Sequence, residues 1–215
     1  MTDFQKFLAE CMYWAEGTAA FISLLYYNRV KGQYWKYLIL YLIIIFLSES
    51  VGKWGIYFIN IDKPKFYNYF VIPFQFIFFY WLYAVKSLKK INLFFIFSVL
   101  YLFSFIPSEL FFSESKIVFS FNYTFGCLLL MTLVIMEYYK QINSSEILNF
   151  SKNKMFYINL GVTLFYIGTL PFLTFFSLIW KYKEIWNIYF LYFQISGAVM
   201  YLLFSISFIW GKQNS

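Results

Sequence analysis

An all-α, polytopic transmembrane helical bundle of seven spans is the fold this sequence predicts. Three observations lead there. Hydrophobic residues make up 62% of the chain and charged residues only 13%; apolar stretches recur at the length of a bilayer crossing; and Trp and Tyr gather where those stretches end. A soluble domain carries about 45–50% apolar and about 25% charged residues, so half the usual charge could not clothe a water-facing surface. Crossing a hydrocarbon core about 30 Å thick takes about 20 apolar residues. With short connections, 215 residues hold seven such units and leave no room for a soluble domain, which needs about 50 residues or more.

Span one is expected over about 7–27, closed by Asn28-Arg29-Val30-Lys31. Asp3 and Glu10, rather than a basic segment, accompany this first apolar stretch, so it reads as a retained span and not a cleaved signal. Span two covers about 37–59 and stops at Asp62-Lys63-Pro64-Lys65, where proline lacks the donor that a continuing helix needs. Span three covers about 67–85 and ends in Lys86, Lys89 and Lys90. Span four, about 91–112, gives way to the polar turn Ser113-Glu114-Ser115-Lys116, and span five follows over about 117–136. The longest polar segment, 137–154, comes next; in it Ser144-Ser145-Glu146 is expected to cap a short surface helix. Spans six and seven, about 155–179 and 186–210, complete a single domain of residues 1–215. Tyr26-Tyr27, Tyr34-Trp35, Tyr138-Tyr139 and Trp186 mark span ends, as interfacial belts require.

The net charge of +7 is not a nucleic-acid footprint. Its cations fall between the apolar stretches, where anionic headgroups and the insertion machinery place them. With the N-terminus outside, the cytoplasmic face receives ten: Arg29, Lys31, Lys36, Lys86, Lys89, Lys90, Lys140, Lys152, Lys154 and Lys212. The outer face receives six: Lys6, Lys63, Lys65, Lys116, Lys181 and Lys183. The bias favours an inner-membrane protein with its C-terminus in the cytoplasm. Beyond the lipid bilayer, the basic cytoplasmic loops offer a place for a protein partner, and an oligomer is compatible with the chain. A single Arg among 17 basic residues, with 31 Phe and 21 Tyr, fits an AT-rich coding sequence, so aromatic abundance by itself does not signal a binding cage. Cys11 and Cys127 fall inside spans and read as packing residues.

Depth sorts the polar residues. An ionisable side chain at the centre of a membrane helix costs at least about 2.5–3.5 kcal/mol, which makes each one a functional hypothesis. At a rise of about 1.5 Å per residue, Glu10 and Glu109 lie about 5 Å deep, Lys53 about 9 Å, and Glu16 and Glu49 about 15 Å. All five fall in the outer half, beside Gln75, Asn122, Thr169 and Gln194 at similar depth, while the inner half keeps hydroxyls and Asn159. The expectation is an outward-facing polar pocket built from Glu16, Glu49, Lys53, Gln75, Glu109, Asn122 and Gln194, as ligand sites in helical bundles are built from side chains on facing helices. Pro73, Pro107 and Pro171 each remove one helical hydrogen bond near this depth. Glu49 and Lys53 stand four apart with Glu first, the orientation that pairs best on a helix; an internal ion pair locking span two is the plainer reading. Gly52 on the same face permits close approach. Glu16 has only Ala19 and Ala20 one turn on, so it must be protonated, paired with Lys53 or solvated.

The chain has no histidine, which removes His-based zinc sites, haem ligation and His general bases; no metal, cofactor or enzymatic role is expected. Span seven contains no lysine for a retinal Schiff base. Glu49 in span two, Phe66-Tyr67-Asn68 opening span three and Phe165-Tyr166-Ile167-Gly168 in span six resemble features of small seven-helix membrane proteins of Bacteroidota. Members of that group often carry an acidic residue one or two turns into span three, where this chain has Gln75. They are similar in turn to the sensory membrane parts of some bacterial kinases, and the likeness implies a sensor-like bundle. Three functions stay open: a sensory or signalling protein with a small-ligand pocket, a small transporter or ion or proton channel, and an accessory or effector subunit of a larger complex, including a defence complex.

Overall fold

The structure, a computed structural model, describes residues 2–59, 62–106, 120–144 and 151–211. These residues form helices and connecting turns, with no strand among them. We number the helices α1 (Asp3–Leu25), α2 (Lys36–Ile59), α3 (Lys63–Ser87), α4 (Ile91–Phe103), α5 (Ser120–Ile142), α6 (Lys154–Thr174) and α7 (Lys183–Ile209). Single turns at Tyr27–Val30 and Phe176–Ile179 extend two of the connections.

Side-chain meetings fix the directions. Glu10 meets Lys53 and Gly17 faces Phe46, so α1 and α2 are antiparallel. Glu49 to Tyr67 and Tyr41 to Phe78 set α2 against α3 in the same sense. Tyr138 to Thr163 and Thr124 to Thr174 do so for α5 and α6. Helices α1 and α7 are parallel, joined by Gln5 to Asn187 near one end and Glu16 to Tyr201 further along. Gly161 lets α7 come close to α6: a Cβ there would sit 3.2 Å from Met200 and Phe204, the use small residues serve where lipid gives helices no hydrophobic reason to associate.

Five of these helices, α2, α3, α5, α6 and α7, are long and apolar enough to cross a membrane, and the chain is a multi-pass membrane protein. Helix α1 has the length but carries Asp3, Lys6, Glu10 and Glu16, and the described part of α4 has 13 residues. Bulky apolar side chains such as Phe21, Leu25, Leu47, Phe95, Ile135 and Leu202 point outward, a surface that only lipid would cover without cost.

Several boundaries depart from the expected ones. Span three starts earlier, because Asp62 accepts a hydrogen bond from the Lys65 backbone N–H at 3.3 Å and Pro64 falls in the first turn, where its missing donor costs nothing. Helix α5 continues six residues past position 136, to Ile142, carrying Glu137 out of the expected loop into the bundle. The Ser113–Lys116 turn, Pro107, and the Ser145-Glu146 part of the expected cap lie outside the described residues.

Two helices widen where proline follows. In α3 the backbone adopts π-helical turns over Tyr67–Val71, and in α6 over Thr163–Ile167. Pro73 stands two residues after the first and Pro171 four after the second. The Ile72 N–H reaches back five residues to the Tyr67 carbonyl, and Gly168 N–H five to Thr163. A π turn shifts the hydrogen-bond register ahead of the residue that cannot donate, and such turns cluster at functional sites. A third π segment, Trp81–Ser87, closes α3; Lys89 then takes a φ of 58°, and the Lys90 N–H bonds the Ala84 carbonyl.

Candidate functional site

Both acids expected near the midplane are met by tyrosines. Glu16, 2% exposed on α1, accepts a hydrogen bond at Oε1 from the Tyr201 hydroxyl of α7 at 2.8 Å. Glu49 on α2 accepts at Oε2 from Tyr67 of α3 at 2.5 Å. The two carboxyls are near enough to repel when both are charged, and Lys63 attracts Glu49 from the start of α3. Tyr67 reaches Glu49 because position 52 is glycine: any Cβ there would collide with its phenol. The first π turn begins at this same Tyr67.

Beside the acids lies a cavity of about 470 Å³, within the range of about 300–1,000 Å³ typical of ligand pockets. Glu49 and Gln75 contribute its polar wall, Tyr201 separates it from Glu16, and Lys63 and Pro64 stand at its end. Most of the remaining lining is aromatic, including Tyr67, Tyr123, Phe165 and Phe193. The Gln75 Oε1 accepts from Tyr166 at 3.0 Å, which fixes the amide against the second π segment. The wall therefore offers carboxylate and amide groups on an aromatic surface, the composition of a site for a small amphipathic molecule.

Of the residues expected to share a pocket, Glu49 and Gln75 line one cavity, and Glu16 stands behind its wall, hydrogen-bonded to Tyr201. Lys53 does not join them. Its Nζ turns to the rim, 2.6 Å from Glu10 and 4.4 Å from the Tyr13 ring centroid, so the expected Glu49–Lys53 pair is replaced by a partly exposed link from α2 to α1. Gln194 is buried but donates to the Gln5 backbone carbonyl at 2.9 Å, tying α7 to the start of α1. Asn122 is 3% exposed, has no hydrogen-bond partner among the described residues for either amide atom and does not line the cavity. Glu109 lies outside the described residues.

A second buried polar cluster sits near the other end of the bundle, where only hydroxyls and Asn159 were expected. Glu137 is 1% exposed; Ser87 donates to its Oε2 at 2.5 Å and Gln141 to its Oε1 at 3.0 Å. Lys140 donates to the Ser87 hydroxyl and carbonyl at 2.8 and 2.9 Å. Nearby, Tyr83 donates to Asn159 at 2.8 Å, leaving the Asn159 amide nitrogen without a partner among the described residues. Tyr34, in the turn between α1 and α2, has its phenol pushed up to about 12 by burial, with the Glu137 charge adding to the effect. Buried charge thus occurs toward both ends of the bundle, contrary to the one-sided distribution read from the sequence. The signal was the i, i+3 and i, i+4 spacing of Glu137, Lys140 and Gln141, which continues the α5 helix.

Among the described residues, no group of three His, Cys, Asp or Glu side chains converges as a metal site would require. No family model, curated protein or solved structure matches the chain.

Proposed function

We propose that the chain is a seven-span sensory or signalling protein of the inner membrane, with its N-terminus outside, that binds a small ligand in the cavity beside Glu49. The observation that carries this reading is one cavity wall shared by Glu49, Gln75 and the two π-helical segments. A ligand touching that wall touches the two places where α3 and α6 have a non-standard register, and a one-residue slip of a π turn is a discrete helix movement. Its output would be read by a protein partner at the basic inner segments around Arg29, Lys31, Lys36, Lys86 and Lys90. Kinship with the sensory bundles of Bacteroidota belongs to the same proposal. A genetic readout of signalling tests it: Glu16→Gln and Glu49→Gln should each change the response while the protein still accumulates in the membrane. Wild-type behaviour of both variants would remove the pocket from the function.

A second reading, passage of protons or ions, is favoured by the buried cluster around Glu137. Between it and the cavity, Phe79 and Val162 are fully buried and fill the bundle at the steps from Gln75 to Tyr83 on α3 and from Tyr166 to Asn159 on α6. A sensor with this plug passes nothing in proteoliposomes. Flux that disappears in Glu137→Gln would instead establish a transporter.

A further inference from the structure

We infer that the cavity takes an organic monoamine with an aromatic or branched apolar body, seated with its ammonium group on Glu49; this deepens the ligand-pocket reading above and depends on it. Charge is the first reason. Glu49 faces the cavity with one hydrogen-bond donor, Tyr67, on Oε2, and its Oε1 has no hydrogen-bond partner among the described residues. No lysine or arginine among them lies within 4 Å of it: Lys53, one turn on, is committed to Glu10. Lys63 attracts Glu49 only from beyond ion-pairing distance; a carboxylate walled by aromatic groups is expensive without a close counter-charge, and an ammonium donor at Oε1 supplies one.

The walls are the second reason. Tyr67, Tyr123, Phe165, Phe193 and Tyr201 line the same cavity, and ring faces attract a cation within about 6 Å. A bare metal ion or a proton would leave most of an apolar cavity of about 470 Å³ unfilled, whereas an arylalkylamine occupies both its charged and its apolar parts. Lys63 limits the class further. It stands in the lining, with its Nζ 5.6 Å from the Tyr67 ring centroid, so a second positive charge on the ligand would meet it.

Calorimetry on the full chain in nanodiscs at neutral pH, with three probes of one shape, decides the matter. 2-Phenylethylamine should bind; 2-phenylethanol, its neutral counterpart, should bind at least tenfold more weakly; 3-phenylpropionate should not bind. Glu49→Gln should lower amine affinity at least tenfold and leave the alcohol unaffected. Equal binding of amine and alcohol, preference for the acid, or amine affinity unmoved by Glu49→Gln overturns the monoamine assignment while leaving a ligand pocket in place. If none of the three binds at millimolar concentration, the assignment falls. If the alcohol binds and still binds as tightly in Leu173→Trp, which fills the cavity, the pocket falls as well. Should Glu49→Gln fail to purify, the three-probe comparison on the wild-type chain decides alone.

Discussion

The Tyr67 hydroxyl meets the Glu49 carboxylate at 2.5 Å through the gap that Gly52 leaves on α2. Three residues within one turn and its neighbouring helix therefore set the cavity wall together: the glycine admits the phenol, the π turn aims it, and the phenol orients the acid. A close hydrogen bond to an ionisable group is among the strong ones, but interhelical bonds in membranes contribute modestly, about 0.6 and at most about 1.7 kcal/mol. Positioning, more than stability, is what this contact supplies.

Gly52→Ala should accordingly break the Tyr67–Glu49 contact at a small cost. The colliding atoms belong to the far end of the Tyr67 side chain, which can swing away, so the expected loss is about 1 kcal/mol, the size of the hydrogen bond. In a Tyr67→Ala background the same substitution meets no phenol and should be neutral. Thermal unfolding of the four proteins in detergent measures this; additive effects would show that Gly52 and Tyr67 act independently.

Tyr201→Phe removes the one hydroxyl that meets Glu16 among the described residues and keeps the ring. It should destabilise by about 0.6–1.7 kcal/mol, and Glu16→Gln in the same background should add little because the shared bond is already gone. The double-mutant coupling is the quantity to determine. A coupling near zero would mean that Glu16 draws its support from elsewhere in the bundle.

The Glu137 cluster and the Lys53–Glu10 pair should separate sharply. Lys53–Glu10 is half exposed, with side chains 33% and 52% accessible, so Glu10→Ala should cost about 0–1 kcal/mol. Glu137→Ala strands the buried Ser87 and the half-buried Gln141 and should cost about 3–5 kcal/mol, the range for breaking a buried charged contact. Equal denaturation midpoints for the two variants would contradict the burial of Glu137.

How far the sequence carried depends on what kind of signal each residue gives. Apolar runs and aromatic ends are local, so the helical bundle and most helix positions followed from composition and hydropathy. Glu16, Glu49 and Gln75 were legible by depth, since a rise per residue converts sequence position into height. Direction around the helix axis was not. Lys53 shares a face with Glu49 by spacing, yet a long flexible side chain can reach the rim, where Glu10 and the Tyr13 ring meet it. The tyrosines that orient the acids were hidden by their abundance: among 21, nothing in one sequence distinguishes Tyr67 and Tyr201. Glu137 was missed because a charged stretch of Glu, Lys and Gln looks like a loop when the buried Ser87 and Tyr83 opposite it are not known.

Orientation and span number yield to a labelling experiment with three positions. Thr2, Lys31 and Lys181 are exposed and precede α1, follow α1 and precede α7. Cys127 is buried, so Cys11→Ser gives a chain in which an introduced cysteine dominates labelling by an impermeant maleimide. With seven spans and the N-terminus outside, Thr2→Cys and Lys181→Cys react on intact cells, and Lys31→Cys reacts only after permeabilisation. The comparisons isolate α1, set apart from the other five by its charged residues, and α4, set apart by its 13 described residues. If α1 does not cross, positions 2 and 31 label from the same side, because only the single turn Tyr27–Val30 lies between α1 and position 31. If α4 does not cross, positions 31 and 181 label from the same side, since four crossings in place of five return the chain to its starting face. Reversal of all three, with the alternation kept, would leave the span count intact and invert the protein, placing the Lys63 end of the cavity in the cytoplasm and giving the ligand an intracellular source.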